Sequence, residues 1–253
     1  MLTLEEYEKL SPCCQVTHEG VEVDYLTPST VLKWRVDTLF TKEPCTIEWI
    51  AGFRAGEVLV DVGANVGMYT VWAAKTRAVK VFAFEPEAQN YALLNRNLAR
   101  NGLGERVKAY CLALSDSPGF GELHLATLEA GGSLHSYGER TDYNGRPMEP
   151  KFSQACIAAR LDDLVADGAV PVPDHMKVDV DGLEPKVLAG AGNVLRDPKL
   201  KSLLVEVNHN LAAHRSMVEA LGGLGFRYDP AQIARVERRE GPFKGCAEYV
   251  FRR

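Results

Sequence analysis

The run Val58-Leu59-Val60-Asp61-Val62 is apolar except for Asp61, and it delivers the chain to Gly63, Ala64, Asn65, Val66 and Gly67 before a helical pattern begins. Gly63 permits a sharp turn against a ligand, and Gly67 lets a helix start close to the strand. Free N–H groups at such a helix start attract an anion, whereas Asp61 favours a cation by Coulomb attraction. A second apolar run, VKVFAF from Val79, leads into Pro86 through Glu85, 22 positions after Gly63. There a carboxylate can accept hydrogen bonds from both hydroxyls of a ribose. A glycine turn by itself often serves tight packing only, but strand, turn, helix, strand and acid together make a nucleoside-binding arrangement.

Two nucleoside cofactors compete for it. A dinucleotide needs the backbone close to a pyrophosphate, hence GxGxxG, and Ala64 and Asn65 stand where that pattern has its second glycine. The departure disfavours a nicotinamide dinucleotide and a dehydrogenase. S-adenosyl-L-methionine fits better, with its methionine carboxylate at the helix start, its ammonium or sulfonium near Asp61 and its ribose on Glu85.

Methyl transfer to an alcohol needs alignment and a group that removes the hydroxyl proton. Asp179 and Asp181, after HMKV, and Glu206, after SLLV, end runs that open onto the same crevice in a parallel sheet. Asp179 is the first choice for base and Glu206 the second. Such carboxylates can share a proton, raising the pKa of one, or hold a divalent cation such as magnesium that acidifies the hydroxyl. The competing reading is structural: each acid can cap the next helix or pair with Lys177 or Lys186. His209 and His135 are further base candidates, and Asn208 and Asn210 can orient a hydroxyl. Lone histidines more often sit on a surface or in packing, and loop asparagines commonly make turns.

The elements that must position these residues follow from periodicity. Short runs beginning at Val58, Val79, Val107, His175 and Lys201 are apolar on both faces, as parallel strands covered by helices are. Residues 66–76 and 87–101 repeat apolar residues at helical spacing, with Gly102 as a C-terminal cap. Further helices are expected from Pro185 and over residues 211–221. The expected fold is α/β, a doubly wound Rossmann-like sheet of the class I methyltransferase type, with a C-terminal antiparallel hairpin formed by GFRYDP and GCAEYVFRR. Residues 1–56 read as an N-terminal helical or irregular extension covering residues 57–253. Within the latter, residues 119–151 form an insertion too long for an ordinary connection, with GELHLAT as a strand and a lid as its expected role. Trp34, Phe40, Trp49 and Phe53 in the extension suit a packed flap better than a dimer surface.

Bulk composition narrows the partners. The 253 residues carry a net charge of -5, so no basic field favours nucleic acid. The pairs Arg238, Arg239 and Arg252, Arg253 read as solvated faces or strand ends. No apolar stretch is long enough for a signal peptide or a membrane span, which points to a cytoplasmic protein. Six cysteines without CxxC spacing indicate neither zinc nor a disulfide framework, and most are expected to be buried thiols.

The stations DVGANVGMYT, FEPEAQNYALLNRNLARNG, LALSDSPG, LDDLV, KVDVDGLEPKVLAGA and LLVEVN, spread over residues 58–221, resemble the FkbM family of methyltransferases. The resemblance implies that Asp61, Gly63, Asn65 and Gly67 serve the methionine end of the cofactor, Glu85 the ribose, and Ser115 and Asp116 the adenine. It also implies O-methylation of sugars or polyketide-type natural products, a small-molecule acceptor. Asp181 stands where KIDVEG would place glutamate, which keeps the charge and shortens its reach. Transfer to nitrogen, or a nucleoside-binding module without catalysis, are the alternatives, and oligomeric state is open.

Overall fold

The structure is a computed structural model that describes every residue except Met1 and Ser11. Residues before the main sheet form α1 (Leu4–Lys9), the antiparallel pair β1 (Cys13–His18) and β2 (Val21–Leu26), α2 (Thr30–Asp37) and α3 (Pro44–Ala51). Then β3 (Val58–Val62), α4 (Met68–Arg77), β4 (Lys80–Phe84), α5 (Ala88–Arg100) and β5 (Val107–Tyr110) alternate as the periodicity requires. A second, smaller sheet follows, from β6 (Ala113–Leu114), β7 (Gly119–Leu125), β8 (Ser136–Tyr137) and β9 (Phe152–Ala159). The chain returns through α6 (Leu161–Ala166), β10 (His175–Val178), α7 (Glu184–Ala189), α8 (Gly192–Arg196), β11 (Ser202–Asn208), α9 (Ala212–Gly223), α10 (Pro230–Val236) and β12 (Cys246–Arg252).

The main sheet has the order β12-β11-β10-β3-β4-β5, with β12 antiparallel and the rest parallel. Because strand side chains alternate, Leu59 enters a core built with α4, α5 and the N-terminal segment, whereas Val60 and Val62 enter one built with α6 to α10. The strand order reverses between β3 and β10. A doubly wound sheet opens its binding crevice at the carboxyl ends of the strands flanking that reversal.

The run VKAYCLAL divides. Pairing with β4 ends where the Glu85 N–H reaches the Tyr110 carbonyl, and Ala113 and Leu114 join β9 instead. The antiparallel pairing at the C-terminal end is present, with β11 as the long partner of β12; from GFRYDP only Arg227 adds a bridge, to Arg252. Trp49 and Phe53 are buried within the chain, and the Trp49 indole donates to Ser202 Oγ at 2.8 Å. Cys45, Cys156 and Cys246 are buried, but Cys13 and Cys111 are exposed.

Candidate functional site

A cavity of about 300 Å³ lies at the carboxyl ends of β3, β4, β10 and β11. Gly63, Asn65, Glu85, Asp179, Asp181, Glu206 and His135 all line it, although they come from five separate stretches of sequence. Register brings the strands together: Val62 pairs with Val178 across β3 and β10, which sets Gly63 beside Asp179. At Gly63, φ is 78° and a Cβ would lie 1.9 Å from the Asp179 carbonyl oxygen, so no side chain fits there. Gly67, at φ 84°, lets α4 begin against Leu94.

Glu85 is buried, and its carboxylate accepts the N–H groups of Asn65 at 2.8 Å and Glu87 at 2.9 Å. Burial raises its pKa to about 7 against those two donors. Asn65, itself at φ 51°, donates its side-chain amide to the Gly132 carbonyl at 2.7 Å, and Asn90 donates to the same oxygen at 3.1 Å. The insertion is therefore fastened across the cofactor turn. The apolar end of the cavity is walled by Pro86, Leu112, Leu114 and Leu123.

Five cofactor candidates lie elsewhere. Asp61 sits off the cavity wall, buried, accepting the Thr70 hydroxyl at 2.5 Å, and its other oxygen has no hydrogen-bond partner. Burial raises its pKa although Lys177, its register neighbour on β10, opposes the rise. Ser115 and Asp116 lie off the cavity wall: Ser115 donates to Asp116 Oδ1 at 3.2 Å, and its carbonyl is covered by Gly190. The adjoining wall is made by Leu112, Ala113 and Leu114 instead. Gly67 acts behind the wall through helix packing, and Ala64 faces a smaller pocket beside the cavity.

The acidic end holds charges in close contact. Lys177 Nζ lies 2.8 Å from Asp179 Oδ2. Burial pushes Asp179 upward, but Lys177 and Lys42 outweigh it and hold the carboxyl at about 2. Asp181 accepts the Leu134 N–H at 2.7 Å and is raised to about 6 by burial and by Asp179. It sits at φ 56°, a strained backbone for aspartate. Glu206 is driven well above the carboxylate range by burial and its acidic neighbours, although Arg238 Nη1 lies 2.8 Å away. Arg238 also contacts Glu248 at 2.5 Å. The reading of Arg238 as a solvated charge thus fails, because its partners come from β11 and β12.

His135 lines the cavity, and its Nδ1 accepts the Ala126 N–H at 3.2 Å. Burial lowers its pKa, and a neutral ring that accepts at Nδ1 carries its proton on Nε2. His209 lies off the wall, bonded to the Tyr249 hydroxyl. Asn208 holds the Tyr143 carbonyl and Asn144, and Asn210 holds the Lys244 carbonyl, so both serve turns. Lys186 pairs with Glu139. Sequence reasoning missed Trp34, Arg35 and Lys42, which line the cavity from the N-terminal segment. Lys177 had a signal: it is a lone charge in an otherwise apolar strand, two residues before an acid on the same face.

A doubly wound sheet with a glycine turn at its switch point, a buried acid after the second strand and acids beyond the fourth defines a class I, S-adenosylmethionine-dependent methyltransferase. Residues 61–228 match the sequence profile of the methyltransferase FkbM domain, and the chain belongs to that family. It is 28% identical over 209 residues to 31-O-demethyl-FK506 methyltransferase FkbM of Streptomyces tacrolimicus, covering 74% of this chain and 79% of that one. It is 30% identical to methyltransferase sdnD of Sordaria araneosa, covering 69% and 76% of the two chains. To the hexuronic acid methyltransferase AglP of Haloferax volcanii it is 28% identical, covering 69% and 66%. No helix among the described residues is long and apolar enough to cross a membrane.

Proposed function

We propose that the protein methylates a hydroxyl of a sugar or natural-product type small molecule, with Asp181 as proton acceptor. The observation that carries this reading is an aspartate on the cavity wall whose pKa, about 6, suits a base working near neutrality. The names of two relatives support the acceptor class, since one acts on a demethylated FK506 and the other on a hexuronic acid.

The residues present fit the cofactor. Gly63 leaves a cradle that any Cβ would fill, Glu85 offers a buried carboxyl for the ribose, and Pro86, Leu112 and Leu114 suit the apolar faces of adenine. S-adenosyl-L-methionine supplies a methyl group on a sulfonium, which leaves as a neutral thioether. Asp181 takes the acceptor's proton, Glu206 is held by Arg238, and Asp179 stays ionised beside Lys177. The order of bases thus departs from the one expected from strand position, because Asp179 is too weakly basic. His135 offers Nε2–H to the acceptor, and the insertion keeps water from the cavity.

A divalent cation has little to gain here. Oxygens of Asp179, Glu184 and Glu206 lie within 4.8 Å of one another. Lys177 and Arg238 already neutralise two of them, and Glu184 accepts the N–H groups of Val180 and Gly182. Turnover resistant to a chelator fits this reading.

The test is incubation with S-adenosyl-L-methionine and a panel of glycosides, uronic acids and polyketide alcohols, followed by mass spectrometry for one added methyl. O-methylated product lost in an Asp181→Asn variant supports the proposal. O-methylated product retained in that variant would exclude Asp181 as the proton acceptor, and no product from any acceptor would leave a binding module.

A further inference from the structure

Arg35, on α2, and Lys42, between α2 and α3, precede the segment that defines the family. Both line the main cavity and also a pocket of about 50 Å³ beside it. The remaining walls of that pocket include Gly63, Ala64 and Asn65 of the turn and Met68 and Tyr69 at the start of α4. Charges of both signs face it: Arg35, Lys42 and Lys177 against Glu43 and Asp179. Lys177 is matched by Asp179 at 2.8 Å and Lys42 by Glu43 at 2.6 Å. Among the described residues, no carboxylate lies within ion-pair distance of Arg35, whose Nε donates to the Gly131 carbonyl at 2.8 Å.

A small pocket with both signs of charge suits a zwitterionic amino acid head. An anion entering it meets an arginine without a carboxylate partner, a neighbouring ammonium and the positive end of α4, which all favour the same charge. We propose that Arg35 and Lys42 hold the carboxylate of the cofactor's methionine moiety, which makes the N-terminal segment part of the cofactor site. The proposal rests on the S-adenosylmethionine reading above. It gives residues outside the family profile a positioning role and moves the methionine end away from Asp61, which is already engaged by Thr70. It also links cofactor and insertion, because Gly131 and Gly132 are held in turn by Asn90 and Asn65.

Calorimetric titration with two ligands tests it: S-adenosylhomocysteine, and 5′-methylthioadenosine, which keeps the nucleoside and sulfur but lacks the amino acid. Arg35→Ala and Lys42→Met should each weaken S-adenosylhomocysteine about tenfold or more and leave 5′-methylthioadenosine unchanged, with Arg35→Lys recovering part of the loss. Equal weakening of both ligands would reduce the two residues to scaffolding and overturn the proposal. So would unchanged S-adenosylhomocysteine affinity with a raised acceptor KM, which would put the cations at the acceptor. Failure of the wild type to bind either ligand would instead overturn the cofactor reading, and this proposal with it.

Discussion

Lys177 places its ammonium 2.8 Å from the carboxylate of Asp179, two residues further along the chain, while standing level with Asp61 on the neighbouring strand. One buried cation thus balances two acids at the point where the sheet order reverses. Replacing it by methionine keeps the bulk and leaves Asp179 and Asp61 without that charge. Breaking a buried pair in this way costs about 3–5 kcal/mol. Chemical denaturation of Lys177→Met at neutral pH should show a loss of that order, and a loss below about 1 kcal/mol, the value of a surface pair, would contradict it.

Gly63 and Gly67 both have positive φ, yet their surroundings differ. A Cβ at Gly63 meets the Asp179 carbonyl oxygen at 1.9 Å, a backbone atom fixed by the sheet. At Gly67 it meets Leu94 Cδ1 at 2.4 Å, the end of a flexible side chain. Gly63→Ala should therefore abolish cofactor binding and destabilise the fold by about 3 kcal/mol, whereas Gly67→Ala should cost about 1–2 kcal/mol. Thermal melts with and without S-adenosylhomocysteine rank the two; equal effects would mean that the strand contact is not what demands glycine at 63.

The parts of this site that sequence makes legible are those whose partners are near in the chain. Strand, turn, helix and acid from Val58 to Glu85 follow from apolar period and glycine chemistry, and the two acids after β10 follow from strand polarity. Arg238 shows where that stops: its carboxylate partners are 32 and 10 residues away and meet it only through antiparallel pairing of β11 and β12. Trp34, Arg35 and Lys42 were illegible for a similar reason, since nothing local says that α2 lies across the turn after β3. Ser115 and Asp116 lie off the cavity wall because the third strand breaks after Tyr110 and Ala113 and Leu114, just before them, pair with β9 instead.

At the opposite end of the sheet, Glu57 and Asp174 share Lys201, at 2.6 and 2.8 Å, and Lys199 adds a contact of 2.7 Å to Asp174. Burial pushes both acids upward, but these lysines, with backbone N–H groups and with His175 on Glu57, hold each at about 2. Folded values below the unfolded ones stabilise the fold at pH above about 4, and that contribution is lost as pH falls toward 2. Lys201→Met should lower Tm by about 2–4 °C near neutrality and by much less near pH 2. Melts of both proteins across that range decide the point, since a gap independent of pH would exclude linkage to these carboxyls.

Asp181 gives the sharpest kinetic expectation, because burial and the charge of Asp179 together set its pKa at about 6. A proton acceptor works only when ionised, so kcat/KM with a hydroxyl acceptor should rise with pH and level off above about 6. Asp181→Asn should lower kcat roughly a hundredfold or more while sparing S-adenosylhomocysteine affinity, since Glu85 and the turn after β3 are untouched. Asp179→Asn is the more informative variant. It removes the neighbouring anion, so Asp181 ionises more readily and the rising limb should shift to lower pH, even if kcat falls. A limb that stays in place in Asp179→Asn but vanishes in Glu85→Gln would assign the titration to the buried Glu85, a second carboxyl of the same cavity whose pKa of about 7 lets it mimic a base.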